Sequence, residues 1–104
     1  KPDFYGAKHD IWNLKNKTNA MKKYNVVGPI CESSDFLGKD ILLDIAEDDL
    51  LCIKTAGAYG FVMSSNYNSR LRSAEVLVDG KTFNLIRRRE NIQDLIGMET
   101  IPND

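Results

Sequence analysis

Apolar residues along the chain fall into short runs separated by turn-forming residues, a pattern typical of β-strands. The segments DFYGAKHDIWNL and YNVVGPI each predict a strand, and Gly28-Pro29 ends the second one. A later apolar and acidic stretch turns at EDD and continues as LLCIKTA, which predicts a buried strand. These runs favour an all-β domain.

The clearest local signal is AEVLVDGKTFNLIRRR, in which two apolar runs flank Asp79-Gly80. Asp-Gly between such runs predicts a β-hairpin with a two-residue type I′ turn. Asn91 and Asp94 then have the spacing of a capping box before a short helix with one apolar face. Together the elements predict a small antiparallel barrel or sandwich with a short C-terminal helix, spanning residues 1–104 as one domain.

Composition narrows the classes of protein. A length of 104 residues, 42% of them hydrophobic and 28% charged, fits one globular domain. The net charge of -1 argues against a nucleic-acid partner and against attraction to a membrane surface. Two cysteines are too few for a disulfide framework, so we expect a reduced, cytoplasmic setting. Because the chain begins with Lys-Pro, we expect it to be part of a longer protein.

Cys31 and Glu32 stand side by side in the loop that follows Gly28-Pro29. A loop thiol can donate a proton or act as a nucleophile, and an adjacent carboxylate can bind an ammonium group. The alternative is that Cys31 is a small buried residue at a strand end. The residues alone leave both interpretations open. Cys52, inside LLCIK, is expected to lie in the core.

Tyr59 lies between Gly57 and Gly60, where the backbone can bend sharply or approach a ligand. Its hydroxyl either faces an anion or belongs to a tyrosine packed at a corner. The polar run from Ser64 to Ser69 predicts a long loop.

Three consecutive arginines, 87–89, suggest phosphate binding at first sight. On a strand, however, they alternate between two faces, so solvent-exposed salt bridges are the favoured interpretation. His9 is the single histidine, and no spacing of ligands supports a metal site.

Four blocks, KPDFYGAKHDI, VVGPICESSD, AGAYGFVMSSNYNSR and NLIRRRENIQDLI, resemble the C-terminal domain of the diaminopimelate decarboxylase family. They occur in the family's order and spacing from about Lys1 to Glu99. The resemblance implies a Greek-key β-barrel or sandwich, similar to the C-terminal domain of alanine racemase. It also implies a pyridoxal 5'-phosphate-dependent enzyme that converts meso-diaminopimelate to L-lysine and carbon dioxide. The cofactor would be held mainly by an N-terminal (β/α)8 barrel, absent from this chain, in a homodimer with active sites at the subunit interface.

The resemblance also assigns roles to individual residues. Cys31 would donate a proton to the carbon that loses its carboxylate, and Glu32 would bind the distal amino-acid end of the substrate. Tyr59 would contact cofactor and substrate, Tyr5 would contact the distal carboxylate, and Asp35 would shape the loop. We therefore expect the site to be incomplete in this chain alone.

Lys1-Pro2 departs from the family pattern, which usually has Arg-Pro at that corner. Arginine binds a carboxylate with two parallel hydrogen bonds and lysine does not. We therefore expect weaker binding of a substrate carboxylate at that corner. The related ornithine, arginine and carboxynorspermidine decarboxylases are the alternative within this chemistry, and Glu32 argues against them. A stand-alone dimerisation domain without catalysis is the alternative from another class.

Overall fold

The computed structural model describes residues 10–103, which divide into two compact units between Val62 and Met63. Strands dominate both units, and every pair of neighbouring strands is antiparallel. The prediction of an all-β class with a short C-terminal helix is confirmed, whereas the short helix over Gly57–Val62 was not predicted. Within the described ranges the strands pair as three two-stranded ladders.

The first unit contains two ladders and one short helix. β1 pairs with β4, and β2 pairs with β3. The bounds are Ile11–Asn13 for β1, Lys22–Val27 for β2, Phe36–Leu43 for β3, Leu51–Ile53 for β4 and Gly57–Val62 for α1. The strand predicted from LLCIKTA is therefore β4, but it is shorter than predicted and half-buried, as is Cys52 within it. The predicted first strand is described only from residue 10 onward.

The core of this unit is small. Among the described residues, the buried apolar side chains are Ile11, 6% exposed, and Leu43, 4% exposed. Asn13 is buried beside them, and its Nδ2 donates to the Asp44 carbonyl at 2.8 Å and to Asp49 Oδ2 at 3.0 Å. A buried amide satisfied in this way avoids the desolvation cost of an unpaired polar group.

Asp49 ties the connection before β4 to the segment after β1. Its carboxylate accepts hydrogen bonds from Lys15 Nζ at 2.8 Å, Lys17 Nζ at 3.1 Å and the Ala46 N–H at 2.9 Å. The Lys15 ammonium, followed by the Ala46 N–H and Lys17, holds the pKa of this carboxyl well below its usual range. The side chain is only 4% exposed, which shields these bonds from water.

The second unit contains a hairpin and a short helix, and none of its described residues is buried. The hairpin is confirmed, but the predicted type I′ turn is wrong. Asp79 pairs with Thr82, so the two-residue loop is Gly80-Lys81. Gly80 has φ +59° whereas Lys81 keeps a negative φ, the pattern of a type II′ turn with glycine first. The bounds are Glu75–Asp79 for β5, Thr82–Arg87 for β6 and Ile92–Ile96 for α2.

One face of the β5–β6 hairpin is entirely apolar. Val76 pairs with Leu85 and Val78 pairs with Phe83, so these four side chains share a face, and each is more than half exposed. Apolar surface that stays in contact with water contributes nothing to stability. The hairpin is therefore held by its turn and ladder rather than by a core of its own unit.

The capping box that starts α2 is confirmed. Asn91 Oδ1 accepts from the Asp94 N–H at 3.0 Å, and Asp94 Oδ2 accepts from the Asn91 N–H at 2.9 Å. Arg88 donates two hydrogen bonds to the Asp94 carboxylate, at 2.6 and 2.8 Å, and Arg87 pairs with Glu75 at 2.7 Å. The predicted exposed salt bridges are thus confirmed for two of the three arginines, although β6 ends at Arg87.

The Glu90 carboxylate holds the predicted loop after Ser64 by two hydrogen bonds. Its Oε1 accepts from the Arg72 N–H at 2.7 Å and from Asn66 Nδ2 at 2.8 Å. These two bonds, the Arg72 one foremost, lower the pKa of the Glu90 carboxyl. The loop is not wholly irregular, since Tyr67–Ser69 form a 3-10 turn that includes Asn68 with φ 57°.

Candidate functional site

The segment 28–35 connects β2 to β3 and carries the cysteine and the glutamate singled out in the sequence. β2 ends at Val27, as Gly28-Pro29 predicts, and Val27 pairs with Phe36 across the ladder. The Gly28 N–H donates to the Asp35 carbonyl at 2.9 Å and closes the base of the loop. We refer to residues 28–35 as the cysteine loop.

Cys31 occupies the apex of a tight turn. The Glu32 N–H donates to the Ile30 carbonyl at 2.9 Å, which makes Ile30–Glu32 a three-residue γ-turn with Cys31 at its centre. Because Cys31 does not have a positive φ, this is the inverse, low-strain form of the turn. The cysteine is exposed and free of any disulfide, so the interpretation of Cys31 as a buried residue is wrong.

Glu32 begins the second turn of the loop. Its carbonyl accepts from the Asp35 N–H at 3.2 Å, which makes a β-turn with Ser33 and Ser34 at its centre. Glu32 is half-buried where Cys31 is exposed. The loop therefore projects the thiol into solvent and keeps the neighbouring carboxylate closer to the protein.

Asp35 is the residue on which this geometry depends. Besides closing the loop through its carbonyl and N–H, it accepts the Ile30 N–H on Oδ2 at 2.8 Å. Its carboxylate lies directly against the Cα of Gly28, where any Cβ would collide with it. The resemblance implies that Asp35 shapes the loop, and these contacts show how it does so.

Tyr59 belongs to α1 rather than to a sharp corner. Its side chain is 72% exposed, so the interpretation of a packed tyrosine is wrong for the described part of the chain. Gly57 and Gly60 both have open space where a Cβ would point. The helix therefore presents Tyr59 to solvent, with no side chain on either flanking glycine.

The predicted site residues are only partly brought together. Cys31 and Glu32 share one loop, and Tyr59 stands on another element of the same unit. Tyr5, Lys1 and His9 lie outside the described residues. Residues 10–103 contain no group of histidine, cysteine and acidic side chains that could hold a metal ion. Neither helix in this part of the chain has the length and apolar character needed to cross a bilayer.

Sequence reasoning missed the γ-turn and the buried carboxylate of Asp49. A weak signal exists for the first: an aspartate directly before a strand, in a loop of turn formers, often caps the backbone of its own loop. For Asp49 we find no local signal, because Lys15 and Lys17 are more than 30 positions away along the chain.

Comparison with known families identifies the fold. Residues 1–57 match the family described as pyridoxal-dependent decarboxylase, C-terminal sheet domain. The chain belongs to this family. Its curated relatives include diaminopimelate decarboxylases from Pseudomonas aeruginosa, 52% identical, and Vibrio cholerae, 48% identical. Each alignment covers 97% of this chain and 24% of the relative.

Solved structures agree with the family assignment. A diaminopimelate decarboxylase from M. jannaschii in complex with L-lysine is 44% identical, with a TM-score of 0.87 over 98% of this chain and 24% of that one. One from Helicobacter pylori, also complexed with L-lysine, is 39% identical, with a TM-score of 0.82 over 93% and 24%. The predicted sheet-domain fold is confirmed. The chain spans about a quarter of the length of these relatives.

Proposed function

We propose that this chain is the C-terminal sheet domain of a diaminopimelate decarboxylase, which converts meso-diaminopimelate to L-lysine and carbon dioxide. The observation that carries the proposal is 52% identity to such an enzyme across 97% of the chain, which includes the cysteine loop. Two similar solved structures hold L-lysine, the product of this reaction. Ornithine, arginine and carboxynorspermidine decarboxylases remain the alternatives that the test must separate.

The position of Cys31 supports the proposed role of a proton donor to a substrate held by another surface. Its thiol is exposed at the apex of a turn, so it can reach beyond its own domain. Glu32 follows it and carries a negative charge suited to the ammonium of the substrate's distal end. Ornithine and arginine also carry a distal cation, so the group that distinguishes diaminopimelate is its distal carboxylate, which we propose that Tyr5 contacts.

The described residues of this chain fit a role in contacting pyridoxal 5'-phosphate that is bound by another domain. The exposed Tyr59 hydroxyl and the exposed Cys31 thiol are donors that can approach a ligand bound elsewhere. When bound, the cofactor supplies the electron sink for the charge that decarboxylation leaves behind. This chain's part is to orient the substrate and to hold a proton at Cys31 Sγ. Tyr5 completes the proposed site as a contact to the distal carboxylate.

The proposed partners of this chain are the domain that binds the cofactor and a second subunit. We propose that an N-terminal barrel domain holds the cofactor and that a second subunit completes a homodimer. Side chains that face solvent need an opposing surface to exclude water from the reaction. The chain alone is therefore expected to be inactive. Both cysteines are free, which supports a reducing, cytoplasmic setting.

The proposal is tested with the complete protein, loaded with pyridoxal 5'-phosphate and assayed for carbon dioxide and amino-acid product. We expect release of L-lysine from meso-diaminopimelate and at most weak turnover of L-ornithine or L-arginine. The chain by itself serves as the control and should show no turnover. Preference for ornithine, arginine or carboxynorspermidine would assign the complete protein to a related decarboxylase instead.

A further inference from the structure

We infer that Asp35 is a positioning residue that clamps the turn Ile30–Glu32 and thereby fixes the positions of Cys31 and Glu32. This inference rests on the proposed function. Its carboxylate acts on the backbone beside the thiol rather than on the substrate. The same clamp requires that residue 28 be glycine.

The clamp consists of three hydrogen bonds from one residue. The Asp35 carbonyl accepts from Gly28, the Asp35 N–H donates to the Glu32 carbonyl, and Asp35 Oδ2 accepts from the Ile30 N–H. The last bond, at 2.8 Å, joins a carboxylate to the amide one residue before Cys31. Hydrogen bonds to an ionised acceptor are about twice as strong as neutral ones, so this contact is the strongest restraint on the turn.

A substitution at Gly28 can disrupt the same contact without changing Asp35. A side chain at residue 28 would occupy the space that the Asp35 carboxylate fills. Either the carboxylate or the backbone would then have to move. Gly28→Ala should therefore break the bond to the Ile30 N–H although residue 35 is unchanged.

The bonds of Asp35 stay within the cysteine loop. The carboxylates of Asp44 and Asp49, by contrast, accept from groups far along the chain, the Ala20 N–H at 3.0 Å and Lys15 Nζ at 2.8 Å. Loss of the Asp35 carboxylate should thus displace the loop and leave the framework in place. Displacement of a catalytic group by about 1 Å can cost about 100-fold in rate.

The test is a double-mutant cycle in the complete enzyme with its cofactor, using Gly28→Ala, Asp35→Ala and both together. We expect each single change to lower kcat by about 100-fold, with unchanged cofactor content, because the cofactor is held elsewhere. The double variant should be no worse than Asp35→Ala alone, since the added methyl group then meets no carboxylate. Multiplicative losses in the double variant would overturn the clamp.

A conservative variant and a matched control separate positioning from general damage. Asp35→Asn keeps a carbonyl acceptor for Ile30 and should retain activity within about tenfold of the wild type. Asp48→Asn removes the same charge from an exposed loop where φ is 69°, which asparagine tolerates, and should be neutral. Equal losses for Asp35→Asn and Asp35→Ala would refute a role through this hydrogen bond.

Amide hydrogen exchange in the same complete enzyme reports on the contact without using activity. The Ile30 amide should be protected in the wild type and should exchange at least tenfold faster in Asp35→Ala, with β1 unchanged. Unchanged exchange at Ile30 would overturn the inference. Failure of the wild type to release lysine would refute the proposed function, and the exchange result would still decide whether Asp35 holds the turn.

Discussion

On the proposed function, replacement of Cys31 by alanine in the complete enzyme should lower the rate of catalysis far more than it lowers stability. In this chain the thiol is exposed, and the γ-turn that carries it is made by the backbone of Ile30 and Glu32. Alanine keeps that backbone and removes only the sulfur. Exposed substitutions of this kind usually change the free energy of unfolding by less than about 0.5 kcal/mol.

The loss of rate should be far larger than the loss of stability. A positioned general acid contributes about 10²- to 10⁴-fold to the rate of proton transfer. At 1.36 kcal/mol for each factor of ten, this corresponds to about 2.7 to 5.4 kcal/mol in the activation free energy. The expected effect on the barrier is thus at least about five times the effect on unfolding.

The assay measures lysine formation from meso-diaminopimelate in single and multiple turnovers, together with cofactor content and thermal unfolding. Cys52→Ala is the matched control, because Cys52 is half-buried in β4 opposite Trp12, away from the cysteine loop in sequence. The control should keep its kcat. A rate for Cys31→Ala within about threefold of the wild type would refute the proton-donor role.

Three further outcomes are expected. Glu32→Gln in the complete enzyme should raise KM for diaminopimelate more than it lowers kcat, and an unchanged KM would count against its role in substrate binding. Hydrogen bonds from Arg88 are the main cause of the lowered pKa of the Asp94 carboxyl in the folded protein. The ionised carboxylate therefore stabilises the fold above the ordinary carboxyl range near pH 4, and this stabilisation is lost as the pH falls further. Unfolding curves of Asp94→Asn and wild type should therefore differ at pH 7 and converge towards pH 2. Leu43→Ala should cost about 2–4 kcal/mol in urea unfolding of this chain, whereas Phe83→Ala, at a site 76% exposed, should cost less than about 0.5 kcal/mol; similar costs would contradict the burial pattern.

Features determined by neighbouring residues could be predicted from the sequence. The end of β2 at Gly28-Pro29, the hairpin around Gly80 and the capping box of Asn91 and Asp94 each depend on contacts within about six positions. Proline removes a donor, glycine permits positive φ, and short polar side chains cap nearby amides. Such effects act in any tertiary context, so the residue types alone reveal them.

Features determined by packing could not be predicted in the same way. The turn between β5 and β6 lies one residue later than the Asp-Gly signal suggests, because strand register decides which pair of residues closes the loop. The sequence does not decide whether Tyr59 packs at a corner or exposes its hydroxyl, because this depends on the residues that surround it in the fold. The role of Asp49 depends on lysines brought near by folding. None of these has a local signature.

The turns of the cysteine loop depend on local contacts, which explains how a domain with so few buried side chains among its described residues can present an ordered loop. The backbone bonds of the cysteine loop and the bond from Ile30 to the Asp35 carboxylate join residues no more than seven positions apart. Closing so short a loop costs little chain entropy, and the carboxylate bond to Ile30 offsets part of that cost. The thiol of Cys31 is therefore oriented before any partner surface is present. On the proposed function, assembly with the cofactor-bearing domain brings Cys31 to its place without having to create its turn, so the binding free energy does not have to offset the ordering of that turn.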